Sequence, residues 1–269
     1  MNITIIGVGL IGGSIALTLK EKNTSFKFIG VDNNKNHQKQ ALNLQIVEAF
    51  LPLHAAIKKA DYIILATPVN VSKILLPKIL NRISFNQFIM DVGSIKAGLI
   101  DLVKNHPKRS CFIATHPMWG TEFSGPTAAL KNKFKNKKTI ICDAEHSNLK
   151  GLQITQLIYK KLGMDIIYMN SNEHDIHVAY ISHISHITSF ALANTVLEKE
   201  KDIKTIFNLA STGFESTVRL AKSNPNTWVP ILLENRKNIL IVLKEHIRQL
   251  KLYEKNLQSF DKNGLTNLI

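Results

Sequence analysis

The segment that does most to limit the fold lies at the amino terminus. A β-branched run, Ile3-Thr4-Ile5-Ile6, passes directly into Gly7-Val8-Gly9-Leu10-Ile11-Gly12-Gly13-Ser14, and helical spacing follows. G-x-G-x-x-G between a strand and a helix is the turn a dinucleotide pyrophosphate needs. Gly7 permits the tight turn, Gly9 lets backbone approach the phosphates, and Gly12 lets the helix pack close to its strand. Amides at the helix start, at Leu10 and Ile11, face the phosphate charge. A second apolar run, 28–31, ends in Asp32, 20 residues beyond Gly12. A carboxylate there binds both ribose hydroxyls and repels a 2′-phosphate, and Asn33-Asn34 supply no arginine to receive one. The expected cofactor is NAD in preference to NADP.

The remaining pattern extends this start into a domain. Strands are expected over 3–6, 28–31, 62–66, 88–91, 112–114, 139–142 and 165–168, with helices over 10–21, 70–81, 97–104 and 148–162. Strands alternating with helices imply crossover connections and a Rossmann-type, doubly wound, mainly parallel α/β sheet covered on both faces. After Tyr168 the texture becomes helical. Asn172 is read as an N-cap with Asp175 three positions on, and the helix runs through Val178, Ile181, Phe190 and Leu197. A second helical region starts near Phe214, and Asn224-Pro225 reads as cap and first helical residue. Pro230 is expected to distort the first turns of a final helix reaching about Phe260. The division is therefore a dinucleotide-binding domain over 1–169 and an all-helical substrate-binding and dimerisation domain over 170–269. The apolar surface of those helices exceeds what one thin layer buries, which predicts a homodimer.

Composition narrows the partners. Apolar residues make up 45% and charged residues 20%, so the chain is globular, and no apolar run reaches bilayer length. The amino terminus reads as a strand rather than a signal peptide. Cys111 and Cys142 are too few for a disulfide framework, which fits a reducing, cytoplasmic setting. Thirty-four basic against 20 acidic residues give +14, the feature that raises nucleic acid as a partner. Only five of the basic residues are arginine, and the densest stretch, Lys131-Asn132-Lys133-Phe134-Lys135-Asn136-Lys137-Lys138, reads as a solvated loop. The expected partner is an anionic small molecule, with neither nucleic acid nor membrane.

Three polar clusters follow strand ends, where open α/β sheets bind ligands. Ala66-Thr67-Pro68-Val69 places Thr67 and Pro68 beside the cofactor. Asp91-Val92-Gly93-Ser94-Ile95-Lys96 and Thr115-His116-Pro117-Met118-Trp119-Gly120-Thr121-Glu122 fall near the nicotinamide. His116 is the candidate base, with Ser94 positioned to bond one ring nitrogen and fix its tautomer. His174, His177, His183 and His186 do not form a metal site on one straight helix, because the two pairs face apart. His174 and His177 are read as partly exposed helix residues, and no metal is expected.

These strings, with Ser182-His183-Ile184-Ser185-His186, Gly213-Phe214, Arg219 and Trp228 in order, give the chain a resemblance to the prephenate/arogenate dehydrogenase family of tyrosine biosynthesis. The string His116-Pro117-Met118-x-Gly120-Thr121-Glu122-x-Ser124-Gly125 is the most specific part. The resemblance implies NAD-dependent oxidation of a cyclohexadienol with loss of carbon dioxide, giving 4-hydroxyphenylpyruvate from prephenate; arogenate, giving tyrosine, is the alternative. It implies that His116 takes the ring hydroxyl proton, oriented by Ser94. Arg219 binds a substrate carboxylate, His186 contacts substrate with help from Ser182, Gly213 lines the pocket, and Glu122 pairs with the binding arginine. The sequence itself is read as showing no added chorismate mutase segment and no room for the family's small regulatory domain after Ile269. Two departures bear on substrate choice: Glu215 stands where several members carry a basic residue, and Trp119 replaces a small one. A β-hydroxyacid dehydrogenase would carry a G-x-x-K-x-x-N string, which the sequence lacks. A non-catalytic NAD sensor or nucleic-acid binder would leave the His116 and Ser94 clusters without a role.

Overall fold

The computed structural model describes residues 1–22, 25–203 and 205–269. Compactness divides them into two units: Met1–Asp175 with Lys222–Glu234, and Ile176–Ala221 with Asn235–Ile269.

The first unit alternates as the β-branched runs require. Its elements are β1 (Asn2–Ile6), α1 (Leu10–Glu21), β2 (Lys27–Val31), α2 (Lys35–Asn43), β3 (Ala49–Phe50), α3 (Leu53–Lys59), β4 (Tyr62–Leu65), α4 (Val69–Arg82), β5 (Phe88–Asp91) and α5 (Ala97–Val103). Then come β6 (Phe112–Pro117), β7 (Lys138–Cys142), α6 (Leu149–Leu162), β8 (Asp165–Met169) and α7 (Ser171–Val178), within which the division falls. The eight strands form one sheet in the order β3-β2-β1-β4-β5-β6-β7-β8, parallel throughout except for the antiparallel pair β6–β7. Every residue of β4 and β5 is buried, as a strand covered on both faces demands. The order reverses direction between β1 and β4, the switch point at which such sheets open a crevice.

Side-chain bonds tie the sheet to its helices. The Thr115 hydroxyl lies against the Asp91 carbonyl, which only accepts, so Thr115 donates there and the Tyr159 hydroxyl donates to Thr115. Tyr62 and Thr155 make a similar buried pair between β4 and α6. Cys111 and Cys142 are buried, free thiols, and burial pushes the Cys142 thiol up to about 12, so neither is set up as a nucleophile. The lysine-rich stretch is an exposed loop up to Lys137, with Lys138 opening β7, and is anchored by Phe134, whose buried ring meets Trp119 edge-on at 4.8 Å. Trp119 thereby packs the base of that loop.

The carboxyl-terminal helices differ from expectation in detail. Asn170, not Asn172, caps α7, its side chain accepting from the Asn172 amide at 2.8 Å. A π-helical turn at Ala179–His183 leads into α8 (Ile184–Glu200), followed by α9 (Thr212–Val218). Asn224 caps α10 (Pro225–Glu234), a first-unit helix, as the Asn-Pro pair predicts. Pro230 sits inside α10, and the break comes later, at Asn235, before α11 (Arg236–Gln258) and α12 (Lys262–Leu268). Asn235 is buried in the second unit, where its amide donates to His183 Nδ1 at 3.2 Å. That unit also exposes Ile181, Leu197, Leu209, Ile241, Leu250 and Leu257. No helix among the described residues is long and apolar enough to cross a membrane.

Candidate active site

The strand register brings the cofactor residues to one edge. Ile6 pairs with Val31 on one side and Leu65 on the other, so Gly7, Asp32 and Ala66 emerge together. Gly7 has φ +90°, and a β-carbon there would lie 2.6 Å from the Ala66 carbonyl oxygen. A β-carbon at Gly12 would lie 2.6 Å from the Gly7 carbonyl oxygen, which explains the third glycine. At Gly9 one would meet nothing within 4 Å, leaving room for a ligand against bare backbone at the α1 start. Asp32 is held in place by the Val8 amide at 3.2 Å and the Asn34 amide at 2.8 Å. The Thr67 and Ser72 hydroxyls lie 2.8 Å apart at the start of α4, which Pro68 precedes. This cradle fits a dinucleotide: Gly7, Gly9, Leu10, Ile11 and Gly12 would face the pyrophosphate and Asp32 the adenosine ribose.

The next strands carry a polar ladder beneath His116. Lys96, fully buried, donates its ammonium to the Asp91 carboxylate and to the Thr115 carbonyl at 2.7 Å. Burial pushes the Asp91 carboxyl up from the usual range, while Lys96 and the amides of Gly93 and Thr115 pull it back. His116 follows Thr115 at the carboxyl end of β6, half-buried, and its Nδ1 lies 2.9 Å from Nε2 of His174. His174 Nδ1 lies 2.8 Å from the Asp175 carboxylate, which also accepts the Lys96 and Ala97 amides at 2.9 Å each. This corrects the sequence reading: His174 is fully buried, and Asp175 braces α5 rather than boxing a helix cap. His177, three residues on, is exposed. Ser94 is half-buried on the loop between β5 and α5.

Glu122 is half-buried on the loop after β6. That loop is tied to α1 by the Leu130 amide on the Ser14 hydroxyl at 2.8 Å. It borders an open cleft of about 760 Å³, lined among others by Thr121, Glu122, Thr127, Lys222 and Asn224. Trp228 packs with Val69, Ile95 and Ile231 in a small apolar cluster. Among the described residues no group of three or more His, Cys, Asp or Glu is placed to hold a metal ion.

The second unit carries Ser182, His186, Gly213, Glu215 and Arg219. His186 Nδ1 donates to the Ser182 carbonyl at 3.0 Å, a contact with the backbone of Ser182 and not its hydroxyl. Burial lowers the His186 imidazole below its ordinary value; the bond to Ser182 opposes this, and the nearby Arg219 charge adds to it. Burial and the Arg219 charge thus both disfavour the imidazolium, and with Nδ1 donating to Ser182 a neutral ring has Nε2 as its acceptor. Gly213 lies in the first turn of α9, with Glu215 and Arg219 exposed beyond it.

Two family models match in tandem: "Prephenate dehydrogenase, nucleotide-binding domain" over residues 15–168 and "Prephenate dehydrogenase, dimerization domain" over 170–269. A prephenate dehydrogenase of Bacillus subtilis is 30% identical over 270 residues, covering 98% of this chain and 72% of that protein. Among solved structures, prephenate dehydrogenase from A. aeolicus, in complex with hydroxyphenyl propionate and NAD+, has a TM-score of 0.89 at 29% identity. That match covers 100% of this chain and 94% of the other. Arogenate dehydrogenase of Synechocystis has a TM-score of 0.74 at 28% identity, covering 100% and 96%.

Proposed function

The chain belongs to the prephenate dehydrogenase family, and from that premise we propose that it converts prephenate to 4-hydroxyphenylpyruvate and carbon dioxide with NAD. The supporting observation is the placement of an oriented imidazole, His116, at the same sheet edge as the glycine cradle and Asp32. NAD, when bound, supplies the acceptor for the hydride that leaves the ring carbinol carbon. His116 Nε2 takes the hydroxyl proton as the C–O bond becomes a carbonyl. The bond to the ring carboxylate then breaks and carbon dioxide leaves; the bond's electron pair enters the ring, and the resulting phenolate oxygen takes the proton back from His116 to give the aromatic phenol. Ser94 and Glu122 border the reacting end. Arg219 clamps a substrate carboxylate, and neutral His186 offers Nε2 to a substrate donor, with Gly213 keeping that wall open. Glu215, four residues before Arg219, favours arogenate as a second reading, because a carboxylate suits its amino group.

The deciding assay offers purified protein prephenate or arogenate with NAD or NADP and follows the reduced cofactor. Prephenate with NAD is expected to be the best pair; no reduction with either substrate would end the reading. Arg219→Ala should raise KM for substrate about 10–100-fold with a smaller change in kcat, as loss of a bidentate clamp requires. An unchanged KM would remove that role. Asp32→Ala should weaken NAD about 10–100-fold, the worth of charged hydrogen bonds to the ribose, and narrow the preference over NADP. Cofactor preference identical to wild type would undo the ribose argument.

The exposed leucines and isoleucines of the second unit support a homodimer through its helices. Sedimentation at micromolar concentration should give twice the chain mass, and a single-chain mass would overturn the dimer.

A further inference from the structure

We infer that His174 and Asp175 form a two-residue relay that holds His116 as its Nδ1–H tautomer and so makes Nε2 the nitrogen that receives the substrate proton. The inference rests on the reading of His116 as the base and adds the groups that act through it. Its starting point is the Asp175 carboxylate, only 3% exposed, on which three donors converge. One oxygen accepts the Lys96 amide at 2.9 Å and faces His174 Nδ1 at 2.8 Å; the other accepts the Ala97 amide at 2.9 Å. Each oxygen already accepts a backbone amide, and a carboxylate oxygen accepts and does not donate. His174 Nδ1 must therefore carry a proton.

The consequence passes along the chain of rings. A neutral His174 with its proton on Nδ1 has a lone pair on Nε2. The 2.9 Å contact from that nitrogen to His116 Nδ1 is then a hydrogen bond only if His116 Nδ1 carries the proton. The rings meet nearly edge to face, with centroids 5.1 Å apart and planes at 73°. Once His116 Nε2 has taken a proton, both N–H groups inside the relay keep their acceptors: Nδ1 of His116 on His174, and Nδ1 of His174 on Asp175. The imidazolium is thus stabilised without any reorientation, as preorganised sites require. His174, with no exposed surface, has no route to solvent for an alternative partner. His174 and Asp175 are buried and act through His116, as positioning residues.

Long-range ¹H–¹⁵N spectra of protein labelled in its histidines test the tautomers without any turnover. Near neutral pH, His116 and His174 should each be protonated on Nδ1 and bare on Nε2. A proton on His116 Nε2, or a doubly protonated His174, would overturn the relay. Kinetics give a second reading. His174→Leu should lower kcat about 100-fold, within the usual worth of general-base catalysis, with KM for substrate and NAD within about threefold. His174→Gln, which keeps an acceptor for His116 Nδ1, should recover kcat to within about tenfold of wild type. A folded leucine variant with kcat close to wild type, or equal losses for leucine and glutamine, would count against the relay. Should the leucine variant not fold, the wild-type spectrum decides. A wild-type protein that reduces no NAD would refute the proposed reaction, and the tautomers would still be read independently.

Discussion

His116→Ala is expected to lower kcat about 10³-fold while leaving NAD binding within about twofold of wild type, because a positioned general base contributes roughly 10²–10⁴ in rate. The asymmetry follows from the sheet. The glycine cradle and Asp32 hang from β1, β2 and β4, and their hydrogen bonds involve none of the atoms removed from β6. The fold should tolerate the change, since His116 is half-buried at a strand end. What the alanine does disturb is His174 Nε2, which loses its ring partner. His116→Asn separates the two effects: its amide can donate at the Nδ1 position yet offers no base. Asparagine should therefore be as inactive as alanine but closer to wild type in thermal stability. The checks are steady-state NADH formation and titration calorimetry with NAD. Turnover within tenfold of wild type in either variant would show that His116 is not the base.

Elements governed by local pattern were legible before the structure. Helix α1 and strand β5 occupy the residues that period and glycine punctuation mark, and α6 starts one residue after its Asn148 cap. The stretch between β2 and β4 was silent for a physical reason: α2 buries only Ala41, so it has no apolar stripe to read, and β3 is two residues long. Pro230 misled because proline marks a backbone cost that α10 absorbs, whereas the actual break falls at Asn235, a buried residue whose amide meets His183. The same limit applies at the site. His174 and His177 lie about 60° apart on a helical wheel, close enough to be read alike. Packing buries the first completely and leaves the second exposed. Asp175 looked like a capping partner at the right spacing, yet its acceptors serve amides nearly 80 positions away, at Lys96 and Ala97. Spacing reveals which residues share a face; it does not reveal what the fold places against that face.

Lys96→Met should be the most destabilising single change near the site, at about 3–5 kcal/mol, because it leaves one half of a buried ion pair behind. Lys96 has no exposed surface, Asp91 is 1% exposed, and water has no access to the orphaned carboxylate. The Gly93 and Thr115 amides remain, at 3.0 and 3.2 Å, but they lack the charge that offsets burial. For a domain of this size the loss corresponds to a fall in Tm of roughly 10 °C. The pH dependence gives the diagnosis. Burial already raises the Asp91 carboxyl, and removing Lys96 raises it further. Between the unfolded carboxylate value, near 4, and that raised folded value, the folded state holds a proton the unfolded state has released. Stability must then fall as pH rises through this window, so the deficit against wild type should be smallest near pH 4 and largest near pH 8. Lys96→Met combined with Asp91→Leu removes both charges and should melt above the single variant. Thermal melts across that range would reject the ion-pair account if the single variant matched wild type or if the double variant gained nothing. Activity should fall along with stability, since the same ammonium holds the Thr115 carbonyl one residue before His116.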